Sequence, residues 1–309
     1  MTEPVRIAVV GLGKIARDQH LPAIRNSPDF ILAATIDPAG SGVEAIPHFG
    51  DLGALLASDC QVDAVALCTP PVLRAQLAIR ALSAGKHVLL EKPPATTVAE
   101  AEALADRARH AGRTIFTAWH SRYAGQVPAA QSWLEGKSID SVSIEWKEDV
   151  RHWHPGQAWI FEEGGFGVFD PAINALSIVT SILPGKLALR SSVLEVPENC
   201  AAPIAGSLEM ETESGVPVGL EMDFLQTGQQ TWDIRIDTDA GRMTLKNGGS
   251  ELHLPGEISR GEDREYPLLY AHFADLIARR ESAIDLAPLR LVEAALASGE
   301  KRSAPPFHE

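Results

Sequence analysis

The sequence contains no long apolar run, and it has only three cysteines in 309 residues. No stretch approaches the roughly 18 consecutive apolar residues of a membrane-spanning helix, so we expect no membrane partner. Cys60, Cys68 and Cys200 form no C-x-x-C pair, and a sparse, odd-numbered set of this kind suits a reducing cytoplasm. The first predicted strand begins near Val5, which leaves no room for a signal peptide. These absences predict a cytoplasmic protein.

Positive charge is also scarce, since 27 Lys and Arg residues stand against 41 Asp and Glu residues and give a net charge of −14. This balance disfavours a nucleic-acid-binding surface. No G-x-S-x-G or H-E-x-x-H motif of a hydrolase is present. The hydrophobic content of 45% is ample for a globular core, and the length suggests two domains. We therefore expect a small-molecule substrate rather than nucleic acid or a membrane.

The stretch VRIAVVGLGKIA, residues 5–16, organises the N-terminal part of the chain. Its β-branched, apolar start predicts a strand that is buried on both faces. Gly11 permits a tight turn, Gly13 lets the backbone approach a pyrophosphate, and Ala16 lets the next helix pack closely. The helix that begins here directs free N–H groups at phosphate. Because the motif joins a predicted strand to a predicted helix, we interpret it as a dinucleotide-binding turn rather than merely a tight one.

Strands and helices alternate as far as residue 120, and longer alternating apolar runs follow. The first pattern predicts an α/β dinucleotide-binding Rossmann domain with a doubly wound parallel sheet over residues 1–120. The second predicts an α+β substrate-binding and oligomerisation domain with a large, mostly antiparallel sheet over residues 121–309. Ligands bind at the carboxyl ends of parallel strands. The residues that fall at or just past such ends are Gly11, Asp37, Thr69, Glu91, Lys92 and His120.

Asp37, at the end of the second predicted strand, bears on the choice of cofactor. An acidic residue there accepts hydrogen bonds from an adenosine ribose and repels a 2′-phosphate. No Lys or Arg lies between Arg25 and Arg74 to neutralise such a phosphate. The sequence therefore favours NAD, with NADP as the alternative cofactor. The structural alternative is that Asp37 only forms a turn before Pro38.

Lys92 stands at the tip of another predicted buried strand, in the sequence Glu91-Lys92-Pro93-Pro94. The two prolines that follow it restrict its backbone. Facing a cofactor cleft, its ammonium would bond a substrate oxygen and take part in acid–base chemistry. A solvated lysine at the start of a loop is the alternative.

Asp170 and Asn174 form a second polar pair. Asp170 precedes Pro171, which predicts that it caps the N-terminus of a helix. Asn174 follows four residues later and would lie on the same helix face. Two polar groups would then project together, unless they are only a cap and an exposed Asn. In the inferred fold we expect Lys92 and Asp170 to converge on one cleft.

The motifs GLGKIARDQHLPAI, TPP, AGKHVLLEKP and a Gly-rich run leading into D-P-x-x-N resemble the Gfo/Idh/MocA oxidoreductases over essentially the whole chain. WHSR, WKEDVRHWHPGQAWI and GGFGVFDPAINALSIVTSILP more narrowly resemble the aldose 1-dehydrogenases that act on L-arabinose or D-galactose. The resemblance implies catalytic roles for Lys92, Asp170 and Asn174. Many family members carry a His where Asn174 stands, and Asn cannot accept a proton. The resemblance therefore leaves open which group acts as the base.

The resemblance implies NAD(P)-dependent oxidation of an aldopyranose, D-galactose or L-arabinose or both, at C1 to the aldonolactone, and a homodimer by analogy. The expected cofactor-binding residues are Gly11, Gly13, Lys14, Ile15, Asp37, Thr69, Pro70, Glu91, Lys92 and His120. The expected substrate-binding residues are Lys92, His120, Glu148, Trp153, His154, Asp170, Asn174 and Trp232, with Arg122 near the nicotinamide or the sugar.

Three alternatives remain at this point. His152 and His154 with Asp170 have ligand types that bind zinc, although hydride transfer to NAD needs no metal, so we expect none. The tryptophans expected to bind the sugar, Trp153 and Trp232, are also compatible with core or interface packing. For the whole protein, the alternatives are a same-fold oxidoreductase acting on another sugar or polyol hydroxyl, and a non-catalytic NAD-binding sensor.

Overall fold

The computed structural model describes residues 3–40 and 42–308, and the chain divides into two compact units. The first unit takes in the chain up to Trp119 together with Tyr266–Asp285. The second takes in His120–Glu265 and the chain from Leu286 onward. The sequence analysis assigned everything after residue 120 to one domain, so it did not anticipate that Tyr266–Asp285 packs with the N-terminal residues.

The first unit is built on a six-stranded, entirely parallel sheet. The strands lie in the order β3-β2-β1-β4-β5-β6, which is the doubly wound order that places a ligand crevice where the direction of strand order reverses. The predicted Rossmann sheet is thus confirmed, and the reversal falls between β1 and β4. The strands are β1 (Val5–Val10), β2 (Phe30–Ile36), β3 (His48–Phe49), β4 (Ala64–Leu67), β5 (His87–Glu91) and β6 (Ile115–Ala118).

The helix after the glycine turn is irregular in its first part, as the proline at position 22 predicts. Residues 16–20 form a π-helical turn, and a regular α-helix begins only at Leu21. Pro22 lies in the first turn of that helix, and it lacks the N–H that would continue the hydrogen bonds of the π-helical turn before it. The helices of this unit are α1 (Leu21–Asn26), α2 (Leu52–Leu56), α3 (Pro71–Ser83), α4 (Val98–Ala111) and, from Tyr266 onward, α8 (Glu265–Arg279).

Helix α8 packs on the parallel sheet through aromatic residues. The ring of Phe273 stacks on Phe30 and on Phe116, with ring centroids 5.8 and 5.9 Å apart. All three side chains are at least 97% buried. This packing explains why a segment so distant in sequence belongs to the first unit, because burying aromatic surface is the main stabilising term available to an amphipathic helix.

The second unit is built on a nine-stranded mixed sheet in the order β14-β13-β12-β11-β7-β10-β9-β8-β15. Only the β7–β10 and β8–β15 pairs are parallel, so the prediction of a mostly antiparallel sheet is confirmed. Gly215 and Gly241 have positive φ values of 88° and 104° in two of the connecting hairpins, as turn positions require. The strands are β7 (Ile139–Lys147), β8 (Leu187–Pro197), β9 (Ala205–Thr212), β10 (Pro217–Asp223), β11 (Thr231–Thr238), β12 (Gly241–Lys246), β13 (Glu251–Leu254), β14 (Glu257–Arg260) and β15 (Glu300–Ala304).

The helices of the second unit include one that is almost completely buried. Helix α7 (Phe169–Ile182) is apolar on most of its faces, and it packs against the helix near the C-terminus and the sheet. Such a helix needs cover on all sides. The other helices are α5 (Val127–Leu134), α6 (Val150–Trp153) and α9 (Ala287–Ser298), with short 3₁₀ turns at His120–Tyr123, Ala158–Phe161 and Asn247–Gly249.

Across residues 3–40 and 42–308, no helix combines the length and the apolar character that crossing a membrane requires.

Candidate active site

The glycine turn after β1 contains two glycines with different reasons for being glycine. Gly11 has a φ of +87°, and a Cβ on it would lie 3.0 Å from the backbone nitrogen of Thr69. Gly11 is therefore required by the fold itself. A Cβ on Gly13 would meet no atom within 4 Å. The space in front of Gly13 is open, as a site for a pyrophosphate against the backbone requires.

Asp37 links the end of β2 to this turn. Its Oδ2 accepts a hydrogen bond from the backbone N–H of Leu12 at 2.8 Å, and its Oδ1 accepts one from Ala39 at 2.9 Å. Partial burial alone would raise the pKa of Asp37, but these backbone donors outweigh it and lower the pKa. Asp37 thus forms the turn that the structural alternative proposed, and it also presents an anionic acceptor next to the glycine turn.

The turn and the start of α3 have further features that suit a dinucleotide. Thr69 Oγ1 is buried and has no hydrogen-bond partner in the part of the chain that the structure describes, so it is available to a ligand. The exposed Lys14 pairs with Asp18 at 2.5 Å, one helical turn further on. Ile15 is half-buried, and Pro70 immediately precedes α3. The open space at Gly13, the acceptor at Asp37 and the unpaired Thr69 hydroxyl together fit a nicotinamide dinucleotide.

Glu91, at the end of β5, is buried and holds the backbone of the next residue. Its Oε2 accepts a hydrogen bond from the backbone N–H of Lys92 at 2.8 Å. Its Oε1 accepts one from the hydroxyl of Tyr266 at 2.7 Å and lies 3.0 Å from His20 Nε2. The other ring nitrogen of His20 lies 2.8 Å from the hydroxyl of Tyr270. Lys92 itself is half-buried.

The His20 ring is completely buried beside negative charge. Burial alone would lower the pKa of His20, but the neighbouring Cys68 sulfur and the Glu91 carboxylate outweigh it and raise the pKa to about 10. Burial raises the pKa of Tyr270, with Cys68 and Glu91 acting in the same direction. Both shifts favour a protonated His20 ring and a neutral Tyr270 hydroxyl.

Glu148 is the centre of a second cluster, in the second unit. This carboxylate follows β7 directly and is only 2% exposed. Its Oε1 lies 2.9 Å from His154 Nε2, and its Oε2 accepts a hydrogen bond from the indole N–H of Trp232 at 2.8 Å. The ring of Trp153 lies 4.8 Å from that of Trp232, and Trp146 stacks behind Trp232 at 6.1 Å. Trp153, His154 and Trp232, which were expected to bind substrate together with Glu148, are thus brought together around its carboxylate.

Asp170 joins this cluster, although it is not the helix cap that the sequence predicts. Helix α7 begins at Phe169 with Val168 at its N-cap, so Asp170 already lies inside the first turn. The cap prediction is wrong because the backbone of Val168 bonds Pro203 O at 2.7 Å and the helical turn starts before the aspartate. Asp170 Oδ2 lies 3.9 Å from His154 Nδ1. His154 therefore lies between two carboxylates.

Asn174 lies one turn after Asp170 on the same helix. Its Oδ1 is buried and has no hydrogen-bond partner among the described residues. A buried amide oxygen without a partner is rare in native structures and is typical of a group that binds a ligand. The polar pair expected from the spacing of these residues is therefore present, with one acceptor atom unused.

His120 and Arg122 lie on the 3₁₀ turn at the start of the second unit. His120 Nδ1 lies 2.5 Å from Glu265 Oε2. Arg122 donates hydrogen bonds to Ser177 O at 2.9 Å and to Thr180 Oγ1 at 3.3 Å, both on α7. These contacts give Arg122 a clear role in holding α7.

The zinc alternative finds no support in the geometry of the histidines. His152 is exposed and packs edge-on against Trp153, whereas His154 is paired with Glu148. Within residues 3–40 and 42–308, no group of three or more His, Cys, Asp or Glu side chains is arranged to hold a metal ion.

Sequence reasoning missed the side chains that surround Glu91. His20 lies in the predicted helix that follows the glycine turn, and Tyr266 and Tyr270 lie about 175 residues after Glu91 in the chain. No motif marks these three residues. The spacing of Tyr266 and Tyr270 places them on one face of α8, but only the fold shows that this face contacts Glu91.

Comparison with known proteins gives consistent results. Residues 5–119 match the model of an oxidoreductase family with an NAD-binding Rossmann fold, GFO_IDH_MocA. The chain is 43% identical over 308 residues to a galactose 1-dehydrogenase from Pseudomonas fluorescens, covering 99% of this chain and 100% of that protein. These matches confirm the family and the narrower resemblance to sugar 1-dehydrogenases.

Solved structures agree with this assignment. The crystal structure of a D-galactose-1-dehydrogenase from Rhizobium etli superposes with a TM-score of 0.95 at 47% identity, covering 100% of this chain and 99% of that one. A 3-ketoreductase from Actinomadura kijaniata, solved with NADP and TDP-benzene, superposes with a TM-score of 0.86 at 21% identity, covering 98% of this chain and 100% of that one. The second likeness shows the fold alone.

Proposed function

The chain belongs to the Gfo/Idh/MocA family of oxidoreductases, and from that premise we propose that it oxidises an aldopyranose at C1 to the aldonolactone. The observation that carries this proposal is the cluster around Glu148. A carboxylate and an imidazole bond sugar hydroxyls, and indole faces stack on the apolar faces of a pyranose. The relatives from Pseudomonas fluorescens and Rhizobium etli, named as galactose dehydrogenases, support the same substrate class.

The residues that hold the cofactor in this proposal are those of the glycine turn, Asp37, Thr69, Pro70, Glu91, Lys92 and His120. When bound, a nicotinamide dinucleotide supplies the acceptor for the hydride that leaves C1. Asp37 receives the adenosine ribose and repels a 2′-phosphate, so we propose NAD as the preferred cofactor and NADP as the weaker one.

The proton chemistry is proposed for residues of this chain. Lys92 contacts O1 of the sugar and, as the neutral amine, takes the proton of the anomeric hydroxyl while the C1–O1 double bond forms. Asp170 polarises Lys92 or takes the proton itself. Asn174 presents its unused Oδ1 to the anomeric hydroxyl and fixes its direction. A hemiacetal hydroxyl is more acidic than an ordinary ring alcohol, so a weaker base suffices and no His is needed at position 174.

D-galactose and L-arabinose are both proposed as substrates. The two sugars share their ring stereochemistry and differ by a hydroxymethyl group. A pocket discriminates one such group by only about 1–3 kcal/mol, so one site accepts both. Glu148, Trp153, His154 and Trp232 are proposed to contact the ring, and His120 to lie near the nicotinamide or the sugar.

Initial rates with both sugars and both nicotinamide cofactors test this proposal. The absorbance of the reduced nicotinamide should rise with D-galactose or L-arabinose, and faster with NAD than with NADP. Turnover only with other sugars or polyols would redirect the proposal to another hydroxyl. Dinucleotide binding without turnover of any sugar in a broad panel would instead indicate a sensor. The homodimer and the cytoplasmic location stay predictions, which sedimentation and cell fractionation would examine.

A further inference from the structure

A closed polar cluster lies next to Lys92, and apart from Glu91, which is proposed to help hold the cofactor, the proposed function uses none of its side chains. Its side chains are those of His20, Glu91, Tyr266 and Tyr270, and each residue is at least 97% buried. The neighbours of the Glu91 carboxylate within hydrogen-bond distance include the His20 ring, the Tyr266 hydroxyl and the backbone N–H of Lys92. Burying an ionised carboxylate is unfavourable unless donors of this kind surround it.

The cluster joins three distant parts of the first unit. His20 ends the π-helical turn behind the glycine turn, Glu91 ends β5, and Tyr266 and Tyr270 lie one turn apart on α8. The carbonyl of Glu91 is held as well, because Arg74 Nη1 donates a hydrogen bond to it at 2.6 Å. Both the side chain and the backbone of Glu91 are therefore fixed from outside β5.

The charges in the cluster are balanced. One ring nitrogen of His20 faces the Glu91 carboxylate and the other faces the Tyr270 hydroxyl, so a protonated ring donates to both. The Cys68 sulfur and the Tyr266 ring, whose centroid lies 4.9 Å from that of His20, also lie beside the His20 ring. The imidazolium stabilises the anionic carboxylate at Oε1, and Oε2 of the carboxylate accepts the hydrogen bond from the N–H of Lys92.

We propose that the cluster formed by His20, Glu91 and Tyr266 is a device that fixes the backbone of Lys92, which makes these three residues positioning residues for the reaction. The proposal rests on the proposed function, in which Lys92 contacts O1. A small displacement of a group that acts on a reacting atom costs far more in rate than in substrate affinity. The cluster should therefore be visible in kcat rather than in KM.

The test compares Tyr266→Phe with Tyr270→Phe. Both variants remove one buried hydroxyl from α8, but only the Tyr266 hydroxyl bonds Glu91. Tyr266→Phe should lower kcat about tenfold with the sugar KM and the dinucleotide Kd within about twofold, because one hydrogen bond to a charged group is lost. Tyr270→Phe should lower kcat no more than about threefold at a comparable change in Tm. Glu91→Gln keeps the size of the side chain, and it should lower kcat more than either tyrosine variant does.

A second readout does not depend on turnover. Hydrogen exchange of the Lys92 amide, followed by NMR, should be about tenfold faster in Tyr266→Phe and in Glu91→Gln than in the wild type, and less affected in Tyr270→Phe. The inference is overturned if the Lys92 amide exchanges at the wild-type rate in both Tyr266→Phe and Glu91→Gln. It is also overturned if exchange is faster in these variants while kcat stays unchanged. A wild type that binds dinucleotide but oxidises no sugar overturns the proposed function, while the exchange measurement still decides whether the cluster holds Lys92.

Discussion

The two units each contain a buried carboxylate with a histidine and an aromatic donor on its oxygens. In the first unit Glu91 binds His20 and Tyr266, and in the second Glu148 binds His154 and Trp232. The difference lies in what the partners do with their other faces. His20 and Tyr266 are at least 97% buried, whereas the His154 side chain is 17% exposed and Trp232 is half-buried.

This difference separates two uses of the same chemical arrangement. A carboxylate with enclosed donors is suited to ordering the backbone beside it, and Glu91 accepts a hydrogen bond from the N–H of Lys92. A carboxylate whose donors keep open faces organises a surface for a ligand. The unpaired oxygen of Asn174 in the second unit agrees with this distinction. The predictions below test it by changing one region at a time.

The largest effect is expected at Lys92, whose backbone bonds the enclosed cluster formed by His20, Glu91 and Tyr266. Lys92→Ala should lower kcat with D-galactose by about a thousandfold, since it removes the proposed proton acceptor and its contact with O1. The control is Lys147→Ala, which removes a lysine paired with Glu221 and Glu145 on the nine-stranded sheet, and it should stay within about twofold of wild type. A near-wild-type kcat for Lys92→Ala would refute the assignment.

A smaller effect is expected at the open cluster, which consists of Glu148, Trp153, His154 and Trp232. Glu148→Gln leaves one oxygen for two donors, so either His154 or Trp232 loses its partner, and kcat/KM for the sugar should fall by about 10- to 100-fold. The Kd of the dinucleotide should not change. Glu145→Gln, on β7 three residues before Glu148, weakens the pairing of Glu145 with Arg235 and Lys147 and serves as the matched control. Equal kcat/KM values for the two variants would show that Glu148 does not organise the sugar site.

The same comparison shows how far the sequence predicts the site. The open cluster was found in advance because Glu148, Trp153 and His154 lie within six residues of one another and belong to a motif that the family resemblance covers. Trp232 was added by the resemblance, since its partner Trp146 across the strand pair could not be identified without the register. The parallel sheet was likewise predictable, because buried strands and their glycine turns have local signals.

The enclosed cluster was not predictable in the same way. Tyr266 contacts Glu91 across 175 positions of sequence, and nothing in the local pattern of α8 distinguishes it from a helix of the second unit. The cap assigned to Asp170 failed for a related reason. The residue that sets the start of α7 is bonded to Pro203, which lies 35 positions later, so a local rule could not locate it. Long-range contacts decided both cases.

The glycine turn repeats the distinction between fold and ligand on a smaller scale. Gly13→Ala adds a methyl group to open space, so it should weaken dinucleotide binding about tenfold while the free energy of unfolding stays within about 0.5 kcal/mol. Gly11→Ala forces a Cβ onto a φ of +87° and should lower the free energy of unfolding by about 1–3 kcal/mol. Calorimetric titration and urea unfolding measure the two effects. If Gly13→Ala binds dinucleotide as well as wild type, the turn does not contact the pyrophosphate.

The smallest effect, measured over a single pH unit, concerns the charge of the enclosed cluster. The pKa of His20 is raised from 6.5 to about 10 by its neighbours in the fold, so the folded chain keeps a proton that the unfolded chain has lost. The stabilisation is fully present below pH 6.5 and is lost as the pH rises towards 10. The free energy of unfolding should therefore fall by up to about 1.4 kcal/mol per pH unit between pH 7 and pH 9. In His20→Gln this contribution is absent, so the free energy of unfolding, measured in urea, should change less with pH than that of the wild type. Parallel curves of unfolding free energy against pH for the two proteins would mean that His20 is neutral in the fold. A neutral His20 would also place no imidazolium beside the Glu91 carboxylate, so parallel curves would remove the stabilisation that this ring is proposed to give to the buried anion.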